Sequence, residues 1–146
     1  MMHPDELQDF AQQVFASQPF SRFIGARLHE VGPGTAELRL PIVEDLTQQH
    51  GFVHGGVISY LADNAITFAG GLALGGNALT SEFKINYVAP ARGARLIARA
   101  ESRSAGTRQA VCQCEVVVVE DDEETLCALA QGTVVSARDP EDSPGG

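Results

Sequence analysis

Between Gly51 and Ser81 the chain carries a single formally charged side chain, Asp63, in a stretch long enough for a helix that crosses a whole domain. Val57, Leu61, Ala65, Phe68 and Leu72 fall within one stripe of roughly 80° at about 100° per residue, which predicts a central helix over 53–72 with that stripe on a sheet. Measured the same way, Asp63 lies about 180° from the stripe's centre, where an isolated domain would carry several solvated charges. Its neighbours on that face are instead Gly56, Ser59, Tyr60, Ile66, Thr67 and Gly70. A helix poor in charge all round predicts a cover on its outer face, most simply a second copy of the chain. Gly70, Gly71, Gly75 and Gly76 leave too few large apolar residues for a membrane span.

The flanking segments set the fold class. Pro4 to Ser17 places Leu7, Phe10, Ala11, Val14 and Phe15 at steps of three and four behind acidic residues, the pattern of a short docking helix. From Gly25 to Ile42 the apolar period becomes two around a Gly32-Pro33-Gly34 turn, which predicts a hairpin. Beyond the central helix, Leu79 to Val88, Arg95 to Ser104, Arg108 to Glu120 and Thr125 to Ala137 read as strands too closely spaced to carry crossover helices. The expected order is helix, two strands, one long helix, four strands: an α+β domain in which a curved antiparallel sheet of about six strands is covered by one helix. A length of 146 residues suits one such domain over 1–138, and the acidic RDPEDSPGG end predicts a disordered tail at 139–146.

Composition narrows the partners. A formal charge of -9 repels phosphate backbones and anionic lipid, so neither a nucleic acid nor a membrane is expected. Cys112, Cys114 and Cys127 lack CxxC spacing and read as buried thiols. With no leading apolar stretch in residues 1–13, the expected compartment is the cytoplasm.

Chemistry concentrates where loop turns into helix. Gly51, Gly55 and Gly56 bracket His54, and the free amides of a helix's first turn are ready-made donors to an anionic oxygen. A desolvated Asp63 would then supply a base, although a solvated carboxylate or one bonded to Asn64 or Thr67 fits the sequence as well. His50 and His54 have the spacing of a metal pair, but the glycines between them break the helical geometry and no third ligand is near. No GxSxG elbow is present for a serine nucleophile.

QQHGFVHGGVISYLADNA followed by LTSEFKINYVAPAR is similar to the hotdog-fold acyl-CoA thioesterases of the phenylacetate-degradation, PaaI-like type, over roughly Phe20 to Ala137. The family pattern of an Asn, then G-x-x-H-G-G, then an acid on the helix falls on Gly51, His54, Gly55, Gly56 and Asp63, and NYVAPA, Asn86 to Ala91, matches the following strand and turn. The resemblance implies a homo-oligomer, dimer or tetramer, with each active site built across a subunit interface. It implies hydrolysis of an acyl-CoA to acid and coenzyme A, with no metal and no cofactor beyond the coenzyme in the substrate. Asp63 takes the role of base or nucleophile, the Gly55 amide polarises the carbonyl, His54 shapes the turn and Thr80 helps to place water. Gln48 stands where many relatives have Asn. Gly56, Phe52, Tyr60 and Phe83 are the implied substrate contacts, and Arg92, Arg103 and Arg108, near turns, the implied phosphate contacts. Two other readings stay open at this point: a hotdog hydratase or dehydratase using His54, and a non-catalytic acyl-CoA-binding protein suggested by Gln48.

Overall fold

The structure, a computed structural model, describes residues 2–137, so the expected tail at 139–146 lies outside the described residues. Helix α1 (Pro4–Ala16) begins on a proline and carries Asp5 and Glu6 at its positive end. It buries Ala11 and Phe15, and the Phe15 ring lies 5.9 Å from that of Phe68. A second helix, α2 (Pro19–Ile24), was not anticipated. Pro19 at its first position and left-handed Gly25 (φ 83°) at its end are the ordinary start and stop signals, compressed into too few residues to show a period.

Six strands follow in the expected order: β1 (Arg27–Gly32), β2 (Thr35–Pro41), then helix α3 (Gly55–Leu74), β3 (Ala78–Tyr87), β4 (Arg95–Ala105), β5 (Gln109–Glu120) and β6 (Glu123–Ser136). They form one antiparallel sheet in the order β1-β2-β4-β5-β6-β3, and α3 packs on all of its central strands. The α+β class with a curved sheet around one long helix is therefore observed. Asp121 and Asp122 take φ of 51° and 64° at the β5–β6 hairpin, the left-handed pair a tight turn of that hand requires. Cys112, Cys114 and Cys127 are buried in β5 and β6, where burial pushes the Cys114 thiol up to about 12 and that of Cys127 up to about 11. Both stay protonated at neutral pH and have no nucleophilic character.

The buried face of α3 differs from the expected stripe. Ile58, Leu61, Ala62, Ala65, Ile66, Phe68 and Ala69 are the enclosed side chains, a face rotated by roughly 60° from the one centred on Leu61, while Val57 and Leu72 are only half-buried. Two glycines explain the rotation. A β-carbon on Gly70 would stand 2.7 Å from that of Val134, and one on Gly132 would stand 3.4 Å from Ile66 Cγ2. Their absence lets β6 curl around the helix and cover Ile66 and Gly70, both expected on the outer face. Asp63 sits at the margin of that cover, half-buried.

Candidate active site

Strand β3 occupies one edge of the sheet and, among the described residues, pairs only to β6. Its register shifts between Thr80 and Glu82, leaving Ser81 as an extra residue. Ala78 and Thr80 are half-buried before this bulge, and Phe83 and Ile85 after it; the bulge thus re-aims alternate side chains and turns Thr80 towards the helix. Thr80 Oγ1 donates to Asp63 Oδ1 at 2.7 Å. Thr67, one helical turn beyond Asp63, places its Oγ1 2.9 Å from Thr80 Oγ1 and donates to the Asp63 carbonyl at 2.8 Å. Each hydroxyl has one proton, so Thr80 spends its own on the carboxylate and the contact between the two threonines depends on how Thr67 is turned. Asp63 Oδ2 accepts no hydrogen bond among the described residues. One carboxylate oxygen is thus held and the other is free to receive a proton.

The loop before α3 builds the second half of the chemistry. Gly51 turns it at φ 86°, and Val53 N–H donates to the Ala91 carbonyl at 2.9 Å. His54 is the N-cap of α3, its Nδ1 accepting from the Gly56 amide at 2.8 Å. Nδ1 accepts only in the ring tautomer that carries its proton on Nε2. The Gly55 amide donates to no acceptor among the described residues, which leaves it pointing out of the helix at the positive end of the dipole. Tyr87 Oη donates to the Gly55 carbonyl at 3.1 Å and lies 2.5 Å from Ser59 Oγ, so the end of β3 holds this first turn in place.

The other expected residues take separate places. Gln48 folds its side-chain carbonyl onto the His50 amide at 2.5 Å, within the loop. Arg92 lies over the Phe52 ring, 4.7 Å from its centre, and donates to the His50 carbonyl at 3.0 Å. Tyr60 bonds Ser21 and accepts from Asn64 Nδ2 at 3.1 Å, while Phe20 meets its ring edge-on at 5.0 Å; it anchors α2 on α3, and burial raises its phenol above the usual value. Phe83 packs on the core beside Gly132. The three aromatics form no ring pair with one another among the described residues. Arg103 pairs with Glu101 at 2.7 Å and Arg108 is exposed at the β4–β5 turn. A β-carbon added at Gly34 would lie 3.4 Å from that of Ser102 and 3.7 Å from that of Ala73, which puts that turn near the C-terminal end of α3, about 30 Å along the helix from Arg92. One chain does not bring the three arginines together. Thr67, expected as one alternative partner of Asp63, bonds its backbone carbonyl rather than its carboxylate, and Ser59 and Tyr87 join the site without having been singled out for it. Thr67 is four residues after Asp63, a spacing that shares a helix face, and Tyr87 lies inside the NYVAPA stretch.

A sequence model of the thioesterase superfamily matches residues 50–125, which contain the His54 turn, Asp63 and Thr80. A thioesterase family protein from Silicibacter pomeroyi is 35 % identical with a TM-score of 0.84, the match covering 88 % of this chain and 96 % of that one. A mutant form of the phenylacetic acid degradation protein PaaI from Thermus thermophilus is 32 % identical with a TM-score of 0.70, covering 81 % and 98 %. The PaaI protein of Escherichia coli, 21 % identical over 92 % of this chain and 96 % of its own, shares the fold with a TM-score of 0.83. With the family pattern and the architecture in agreement, the chain belongs to the thioesterase superfamily and has the hotdog fold of those hydrolases.

Proposed function

We propose that the protein is an acyl-CoA thioesterase that acts as a homodimer or a larger even assembly, with Asp63 of one subunit and the Gly55 amide of another on each thioester. The observation that carries this reading is the separation of the two groups. They stand eight positions apart along α3, about 12 Å of rise, whereas a general base and an oxyanion donor must both come within roughly 3 Å of the reacting atoms. One chain therefore holds half of two sites. A two-fold arrangement that brings Asp63 of each subunit to Gly55 of the other puts residue 59 midway, and the small side chains at 55, 56 and 59 permit close approach there. The free edge of β3, with Leu79, Tyr87 and Val88 exposed, offers the matching strand surface.

In this site Asp63 Oδ2 takes a proton from water as its oxygen attacks the thioester carbon. The Gly55 amide bonds the resulting oxyanion, and the tetrahedral intermediate collapses by breaking the carbon–sulfur bond. The coenzyme thiolate leaves with the proton, and the acid is released. Direct attack by Asp63, giving a mixed anhydride that water then opens, uses the same atoms. His54, on which a hydratase reading rests, is engaged at Nδ1 as the helix cap, and Gln48 is folded onto its own loop. For the phosphates, Arg92 stands beside the oxyanion end, and Arg103 and Arg108 at the opposite end of the same chain. We expect the protein to release free thiol from acyl-CoAs in amounts equal to the acid formed, followed with a thiol-reactive chromophore. Consumption of an enoyl-CoA with the thioester intact would assign a hydratase instead, and binding without turnover a carrier.

A further inference from the structure

A groove of about 800 Å³ runs along the C-terminal half of α3, between that helix, α1 and the start of β3. Phe10 and Val14 of α1, Phe68 and Leu72 of α3 and Leu79 of β3 form its apolar walls. Phe10 and Leu79 are 41 % and 63 % exposed, so the apolar surface faces the open groove rather than the core. No charged side chain lines it among the described residues. Thr67 stands at the end nearest the middle of α3, and the Thr67–Thr80–Asp63 contacts make the groove continuous with the candidate base. At the far end are Gly75 and Gly76, where an added β-carbon would meet no atom within 4 Å. Thr67 to Gly75 is about 12 Å of helix. In the two-fold arrangement proposed above, the helices overlap through their N-terminal halves, and this half of α3 extends past the overlap.

We infer that this groove binds the acyl group of the substrate, and that the group is a straight, uncharged chain of medium length whose thioester carbon lies at Asp63. The inference rests on the thioesterase reading for the position of the thioester. Wall chemistry and continuity with the carboxylate decide the occupant: a charged acyl group would lose its hydration here without a partner, while each buried methylene adds to affinity.

The test is binding of two hydrolysis-resistant thioethers, S-ethyl-CoA and S-decyl-CoA, measured by calorimetry on wild type, Phe10→Ala, Gly76→Phe and Val43→Ala. Phe10 is partly exposed, and Gly76 has a backbone outside the left-handed region and open space at its β-carbon, so neither change disturbs the core. Wild type is expected to prefer the decyl ligand by about tenfold or more, a small part of what full burial of the extra methylenes would give. Phe10→Ala and Gly76→Phe should each lose most of that preference, the first by removing a wall and the second by shortening the groove. Val43→Ala, an exposed apolar side chain elsewhere, should keep it. A preference unchanged in both groove variants, or no preference in wild type, would overturn the inference. Parallel hydrolysis of decanoyl-CoA separates the two readings. Groove-dependent binding without hydrolysis sinks the enzyme and keeps the groove, whereas hydrolysis with a groove-independent preference does the reverse.

Discussion

Asp63→Asn is expected to lower kcat for acyl-CoA hydrolysis by about 10²- to 10⁴-fold while KM moves little, the loss typical of removing a positioned general base. Asparagine keeps the shape and an oxygen to accept from Thr80, so the hydrogen bond at Oδ1 survives and only the proton acceptor is lost. Folding and assembly should be unchanged or slightly improved, because a half-buried carboxylate gives up hydration that an amide needs less. Steady-state thiol release, with melting temperature and particle mass measured alongside, checks both halves of the expectation. A well-folded variant that keeps more than about a tenth of wild-type kcat would mean that Asp63 is not the base.

Gly55→Pro should reduce kcat by about 10²- to 10³-fold, the usual effect of deleting one oxyanion donor. Few positions allow a backbone amide to be removed so cleanly. Residue 55 is the first of α3, where proline is well tolerated, and His54 before it has ψ 135°, the extended conformation that a following proline requires. A β-carbon at 55 would lie 3.4 Å from the Tyr87 ring, ordinary contact. Gly55→Ala is the partner variant: it adds the same β-carbon, keeps the amide and should retain most of the activity. If proline and alanine cost the same, the effect belongs to the side chain and not to the donor.

Much of the architecture was legible because each element carries its own signal. The alternation through Ala36, Leu38 and Leu40, the Gly32-Pro33-Gly34 turn and the long uncharged stretch around Asp63 each specify an element without reference to the others. What failed depended on how the elements meet. The buried face of α3 follows β6, which approaches because Gly70 and Gly132 both lack a side chain, and a hydrophobic stripe drawn on one helix contains no information about that approach. The β3 bulge left no trace either: Leu79, Phe83 and Ile85, the large apolar residues of the strand, are all odd positions, and only the register shift at Ser81 puts Ala78 and Thr80 on the covered side and leaves Leu79 exposed. Alternation alone would turn Thr80 away from the helix. Arg92, Arg103 and Arg108 looked alike as arginines near turns, but Arg92 adjoins the start of α3 and the other two its end, a distinction only the sheet order supplies. Tyr87 escaped notice, and Thr67 was read only as an alternative partner of Asp63, because a hydroxyl beside a carboxylate or a helix end is common, and partners distant in sequence decide its role.

Pairing two inactive chains tests the division of each site between subunits most directly. Asp63→Asn and Gly55→Pro subunits carrying different tags can be co-expressed and the mixed assembly isolated by sequential affinity steps. In a mixed pair, one site combines the intact Asp63 of one chain with the intact Gly55 of the other, and the second site lacks both. The mixed assembly is therefore expected to recover about half of wild-type kcat per pair of chains, far above either parent. If Asp63 and Gly55 acted within one chain, every site in the mixture would still lack one group, and activity at the level of the parents would contradict the shared site.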